Sequence, residues 1–190
     1  MTNRPFYIRK IIHVIWGSGV LFLLYALPRH TVWLLGVWAA GMTIADVLRF
    51  SWHPWQRLFY RLFDALLKPR ERRQFPTGAT LLVYTAFLLA ALFPQSVAIC
   101  AMSILTFGDA LAAVVGKIMP VWRFPNGKSL MGSVAFFLVA LGIYSHYFNL
   151  LMGRAVLVAL VVTIIEAVTP TVAENPAIGL SSAVLGSVFR

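Results

Sequence analysis

Apolar runs of bilayer-crossing length follow one another through this chain, with short polar interruptions that mostly carry proline. A helical crossing takes about 20 predominantly apolar residues. Inside a bilayer every backbone N–H and C=O must find its partner within the protein, which leaves helices as the natural solution. Composition agrees: 60% of the 190 residues are hydrophobic and 12% are charged, against about 45–50% and 25% in soluble domains. A soluble, disordered or collagen-like chain is excluded. The expectation is an all-α polytopic membrane helix bundle forming a single integral membrane domain over residues 1–190. It would have about seven transmembrane helices, with spans near 11–27, 31–50, 77–93, 96–119, 129–150, 154–168 and 176–189.

The polar stretch 51–76 separates the second and third spans. Within it, Trp55, Leu58, Phe59, Leu62, Phe63, Leu66 and Leu67 recur at helical spacing, while Gln56, Arg57, Tyr60, Arg61, Asp64 and Lys68 take the other face. That pattern describes an amphipathic helix in the cytoplasmic headgroup layer. It is either a membrane anchor or linker, or one wall of a lipid-entry site.

Charge sets the orientation. Sixteen Lys and Arg stand against six Asp and Glu. With seven spans, thirteen of the sixteen fall on the side of the N-terminus, of the 51–76 segment and of the loop holding Arg123 and Lys128. Only Arg29, Arg154 and Arg190 lie opposite. The positive-inside rule then puts the N-terminus in the cytoplasm and the C-terminus outside. Basic charge beside apolar runs points to lipid headgroups or a phosphorylated substrate, and not to nucleic acid. The single cysteine, Cys100, allows no intrachain disulfide. Arg9–Lys10 before an apolar run imitates a signal peptide, but no small-residue cleavage site follows.

Ionisable groups inside apolar spans are costly and mark function. Asp46, Asp109 and Glu166 lie in or near the ends of spans, and Glu174 falls in the turn before the last one. Asp109 is eleven residues from Pro120, roughly 12–16 Å deep at 1.5 Å per residue. All four lean to the cytoplasmic side, as do Lys10, His13 and Lys128. A proton or ion pathway places such groups nearer the midplane; a site fed from the cytosol places them here.

Gly108, Ala112 and Gly116 recur at i, i+4, i+8 and make a small-residue face, which serves helix packing as readily as ligand approach. Packing does not account for Asp109 beside them, and a carboxylate there suits a divalent metal such as Mg2+. Gly127-Lys128-Ser129 resembles the end of a P-loop, yet the position of its leading glycine is Trp122. A lysine in a glycine-containing turn that opens a helix still suits phosphate; it also suits a positive-inside anchor. Arg9, His13 and Gly17 share a helix face, on which His13 is either an interfacial core residue or part of a site. Asp46 and Arg49, at i and i+3, can simply neutralise each other.

Together these residues resemble the family of CTP-dependent lipid-alcohol kinases: diacylglycerol kinase of yeast type, dolichol kinase and phytol kinase. The similarity runs through Arg9-Lys10-x-x-His13, then Arg70-Glu71-Arg72-Arg73 leading to Thr77-Gly78. It continues in Gly108-Asp109-Ala110-x-Ala112-x-x-x-Gly116, in Lys128-Ser129-x-x-Gly132-Ser133, and in Glu166 with Glu174-Asn175. The family has a glutamate where this chain has Met131, and Asp-Asn where it has Glu174-Asn175. The resemblance implies transfer of the CTP γ-phosphate to a membrane lipid alcohol at the cytoplasmic face. Asp109, His13 and Asp46 are the implied candidates for the catalytic groups, and Asp109, Glu174 and Glu166 for Mg2+ ligands. Phosphate or nucleotide would meet Lys128, Lys117, Ser129, Asn175 and Arg70 or Arg73. Gly108, Gly116, Gly127 and Gly132 would permit close approach. A similar grammar occurs in phosphatidate cytidylyltransferases, which form the second reading. A transporter or a non-catalytic membrane subunit forms the third.

Overall fold

The computed structural model describes residues 4–148, 152–170 and 173–188. The described residues form an all-helical structure, 84% of them in helices. Helix α1 (Arg4–Ala26) is followed at once by α2 (Pro28–Ser51), with Pro28 in the first turn, where its missing N–H costs nothing. Then come α3 (His53–Phe63), a tight turn at Asp64–Leu66, α4 (Gly78–Leu92) and α5 (Gln95–Ser103). A π turn (Ile104–Gly108) joins α5 to α6 (Asp109–Ile118), and α7 (Leu130–Phe148), α8 (Met152–Val168) and α9 (Glu174–Val188) complete the bundle.

Among the described residues, four segments are long and apolar enough to cross a membrane: α1 from Pro5, α2, the rod Gln95–Ile118 and α7. Helices α4, α8 and α9 have 15, 17 and 15 residues, about 22–26 Å at 1.5 Å per residue. The expected ends of the fifth and seventh spans (149–150 and 189), and Arg190 of the charge count, lie outside the described residues.

The rod α5–α6 is the axis of the bundle. Of its most apolar window 72% is buried, against 17% for α1 and 22% for α2. Helices α1, α4, α7 and α9 pack against its α5 half or its π turn, and α8 closes on α7 and α9. Ala98, Ala101, Met102, Ile104 and Leu105 supply its buried face, and Phe136 and Tyr144 of α7 meet it. Hydroxyls within the helices are satisfied locally: Thr43, Thr85, Ser103 and Thr163 each donate to the carbonyl four residues back. That device lets a polar residue sit in an apolar bundle without a partner helix.

The amphipathic segment is a shorter helix than its pattern suggests, because α3 ends at Phe63. Its apolar stripe also divides. Phe59 is buried, whereas Leu58 and Leu62 are exposed. Trp55 anchors α3 to α2 by donating from Nε1 to the Ala45 carbonyl at 2.9 Å.

Candidate active site

Three buried or partly buried charge clusters form among the described residues, two of them from groups far apart in sequence. The first joins α1 to α6. Lys10 Nζ donates to Asp109 Oδ2 at 2.7 Å, and His13 Nε2 lies 3.6 Å from the same oxygen and 3.4 Å from the Leu105 carbonyl. Asp109 is buried. The π turn sets this geometry, because it ends immediately before Asp109 and contains Leu105. Turns of this kind recur at functional sites. Gly17 allows α1 to reach it: a Cβ there would collide with the side chain of Thr106. Lys10 is the site residue that no catalytic, metal or phosphate role in the sequence anticipates, and the Arg9-Lys10-x-x-His13 spacing is its signal.

The second cluster joins the α6–α7 loop to α8 and α9. Lys128 Nζ sits 2.7 Å from Glu166 Oε1 and 2.8 Å from Glu174 Oε1. Ser133 Oγ donates to Glu166 Oε2 at 3.3 Å. Burial works against the Lys128 charge, but the carboxylates of Glu174 and Glu166 outweigh it and hold the ammonium above the ordinary lysine range. The loop is shaped by its own backbone. Phe124 N–H donates to the Lys128 carbonyl, and Gly127 supplies a φ of 86° that favours glycine.

The third cluster is a buried ion pair. Arg49 Nε lies 3.1 Å from Asp46 Oδ1, close enough for pairing though not aligned as a hydrogen bond. Asp46 Oδ2 accepts from Thr77 N and Thr80 Oγ1 at 2.8 and 2.7 Å. The Arg49 guanidinium donates to the backbone carbonyls of Glu71 and Gln74. Glu71 completes the clamp by accepting from Lys68 N and Gly78 N. Asp46 thus has both oxygens engaged, and the pair fastens the 67–77 loop to α2 and α4.

All three clusters border one cavity of about 790 Å3. Lys10, His13, Asp109, Lys128, Glu166 and Glu174 are among the charged residues that line it. Ile12, Trp16, Met42, Trp55 and Phe59 supply an apolar wall that is continuous with it. Asp46, Lys117, Gly116, Gly127, Gly132, Ser129 and Asn175 also line it. Some of these residues have structural partners as well. Lys117 lies over the Phe6 ring at 3.8 Å, Asn175 donates to the Gly78 carbonyl, and Ser129 Oγ accepts from Gly132 N. Gly108 packs against the Phe136 ring and does not face the cavity. Gly132 lets α7 approach the Ala112 carbonyl of α6. Arg73 lies outside the cavity, and Arg70 borders only a small cleft of about 60 Å3 beside it. Among the described residues, no group of three or more His, Cys, Asp or Glu makes a metal cage by itself.

No family model matches the chain, and no solved structure matches it. Two curated proteins are similar. One is an uncharacterised protein of Rickettsia prowazekii (strain Madrid E), 33% identical over 138 residues, covering 70% of this chain and 66% of the relative. The other is a CTP-dependent diacylglycerol kinase of Schizosaccharomyces pombe, 26% identical over 144 residues, covering 73% of this chain and 64% of the relative. The chain spans just under two thirds of the length of each. It is distantly similar to a CTP-dependent diacylglycerol kinase.

Proposed function

We propose that this chain is a membrane-embedded kinase that transfers the γ-phosphoryl group of CTP to the hydroxyl of a lipid alcohol, diacylglycerol or an isoprenoid alcohol, at the cytoplasmic face. The observation that carries the reading is the cavity, whose paired acids and lysines merge into an apolar wall. A polyphosphate donor needs the first and a lipid acceptor needs the second. The distant similarity to a CTP-dependent diacylglycerol kinase supports the donor and the acceptor class.

Phosphoryl transfer asks a protein for positioning and charge neutralisation more than for covalent help. Lys128 and Lys117 take the triphosphate in this reading, with Arg123 of the same loop lining the cavity beside them. The lipid oxygen bonds to the γ-phosphorus, the bond to the β–γ bridging oxygen breaks, and CDP leaves. The hydroxyl proton goes to Asp109 Oδ2 or His13 Nε2. Asp46 has its lone pairs committed to Arg49, Thr77 and Thr80, and its part is to position the 67–77 loop.

Magnesium fits the donor set. Glu166 and Glu174 reach the same ammonium, so hard oxygen donors converge on one point. Mg2+ takes one or two carboxylates and completes its shell with water and phosphate oxygens. Glu166 and Glu174, with Asp109 on the same cavity, are the residues that would hold it. Bound there, the ion would neutralise charge on the transferred phosphate.

The reading includes seven crossings, with the N-terminus cytoplasmic and the C-terminus external. The start of α4, the end of α8 and the start of α9 all adjoin the cavity, so it would open on the side of the thirteen cations. The test offers purified protein in detergent with Mg2+ and γ-labelled CTP a mixture of diacylglycerol and isoprenoid alcohols, with ATP as a parallel donor. Label in lipid is the expected result. Pyrophosphate release driven by added phosphatidate would favour cytidylyl transfer instead. CTP binding without either reaction would identify a non-catalytic subunit.

A further inference from the structure

We infer that the groove between α1 and α2 is the acceptor's subsite, and that it reads the hydroxyl and only the first few carbons of the tail. The inference rests on the kinase reading and adds to it a location and a specificity. The two helices run antiparallel and meet at Trp16 and Trp38, whose ring centroids are 4.6 Å apart. On the charged side of that contact the cavity enters between them, walled by Ile12 and Trp16 of α1 and by Met42 and Ala45 of α2. Trp55 and Phe59 of α3 close the groove from the headgroup side, fixed by the Trp55 bond to the Ala45 carbonyl.

His13 lines the same cavity three residues before Trp16, about 4.5 Å along the helix at 1.5 Å per residue. Along α1, a hydroxyl beside His13 and Asp109 therefore has less than one helical turn of groove before the indole pair, while Leu82 and Val83 of α4 line the cavity as well. The tail must then leave sideways. Trp16, which walls the groove, is itself 42% exposed, and Ile11 and Ile15 beside it on the outer face of α1 are 58% and 63% exposed. In a bilayer-embedded chain that face meets acyl chains directly. The occupant is an amphiphile by necessity, since one end of the space is ionic and the other is aromatic and aliphatic. The structure accordingly assigns selection to the hydroxyl end and none to tail length.

Two measurements test this. Diacylglycerols carrying a diazirine either next to the ester or at the chain end are photolysed with the protein in nanodiscs, without nucleotide, and adducts are mapped by mass spectrometry. The near-ester probe should mark the peptides around 12–16 and 42–45, and the chain-end probe should not. Adducts mainly on α7 or α8, or equal marking of the groove by both probes, would overturn the inference. In the second measurement Met42→Trp fills the groove. It should raise the acceptor KM by about tenfold or more while leaving the CTP KM within about twofold. The unaltered protein should turn over dioctanoyl, didodecanoyl and dihexadecanoyl acceptors with kcat/KM alike at equal surface concentration. A steady rise with chain length, or a Met42→Trp protein with an unaltered acceptor KM, would contradict the assignment. If no alcohol is phosphorylated at all, the kinase reading fails, and the labelling, which needs no turnover, still decides whether the groove holds a lipid alcohol.

Discussion

Asp109 carries the most chemistry for its size. It is buried, it follows a π turn directly, and it pairs with a lysine from another helix. Asp109→Asn keeps the shape and removes the charge. Turnover with CTP and a lipid alcohol should fall by about 10²–10⁴-fold, with an unchanged elution profile in detergent showing that the fold persists. Lys128 yields a prediction in pH. The carboxylates of Glu174 and Glu166, against the opposing effect of burial, raise its folded pKa above the unfolded value of about 10.4. A group raised on folding contributes stability that is whole below its unfolded pKa and lost as pH climbs through the folded one. The Tm difference between the unaltered protein and Lys128→Met should therefore stay level from about pH 7 to 9 and narrow only above about pH 10. Narrowing near neutrality, followed by differential scanning fluorimetry, would contradict the ion triad. Much at this scale was legible from the chain. A carboxylate among Gly and Ala in an apolar run has no packing reason to exist, and the Arg-Lys-x-x-His spacing put Lys10 and His13 on one face. The commitment of Asp46 was not legible, because its partners Thr77 and Thr80 lie 31 and 34 residues away.

Elements decide whether those residues meet. Nothing in Ile104-Leu105-Thr106-Phe107-Gly108 spells a π turn, on which α1 packs through Gly17. The small-residue stripe in α6 was visible, but its division of labour was not. Gly108 faces the Phe136 ring and Ala112 meets Gly132 of α7 through its carbonyl, and only the packing of α7 reveals it. The 67–77 loop depends on the Asp46–Arg49 pair in the same way. Arg49 is fully buried and holds two loop carbonyls, so Arg49→Met strands the Asp46 carboxylate and frees the loop. Removing one partner of a buried pair costs about 3–5 kcal/mol. The double variant Asp46→Asn/Arg49→Met leaves no uncompensated charge, so it should recover part of that loss. Thermal or denaturant unfolding of the two single variants and the double variant, read as a cycle, checks the coupling. Additive losses would mean that the pair is incidental to the loop.

For the whole molecule, the argument turns on which way the bundle faces. Helices α4, α8 and α9 are short for a bilayer core of about 30 Å, and their lengths alone do not decide whether they cross. Charge does more. The cavity opens among Arg9, Lys10, Lys117, Arg123 and Lys128, and these belong to the thirteen cations that share one side in a seven-crossing chain. If α4, α8 and α9 all cross, Arg57 and Arg123 face the cytoplasm while Arg29 and Arg154 face the other side. Were α4 not to cross, Arg154 would change sides relative to Arg29. Cys100, the chain's single cysteine, is buried, so introduced thiols can be read against a low background. Arg29, Arg57 and Arg154 are all exposed and can each be replaced by cysteine with little risk to packing. A membrane-impermeant maleimide should label Arg57→Cys only in inverted vesicles, and Arg29→Cys and Arg154→Cys only in vesicles of native orientation. Labelling of Arg154→Cys together with Arg57→Cys would break the seven-crossing topology. It would also put the Glu166 end of α8 on the side away from the nucleotide, and a site that needs Glu166 and Asp109 on one cavity would lose its access from the cytosol.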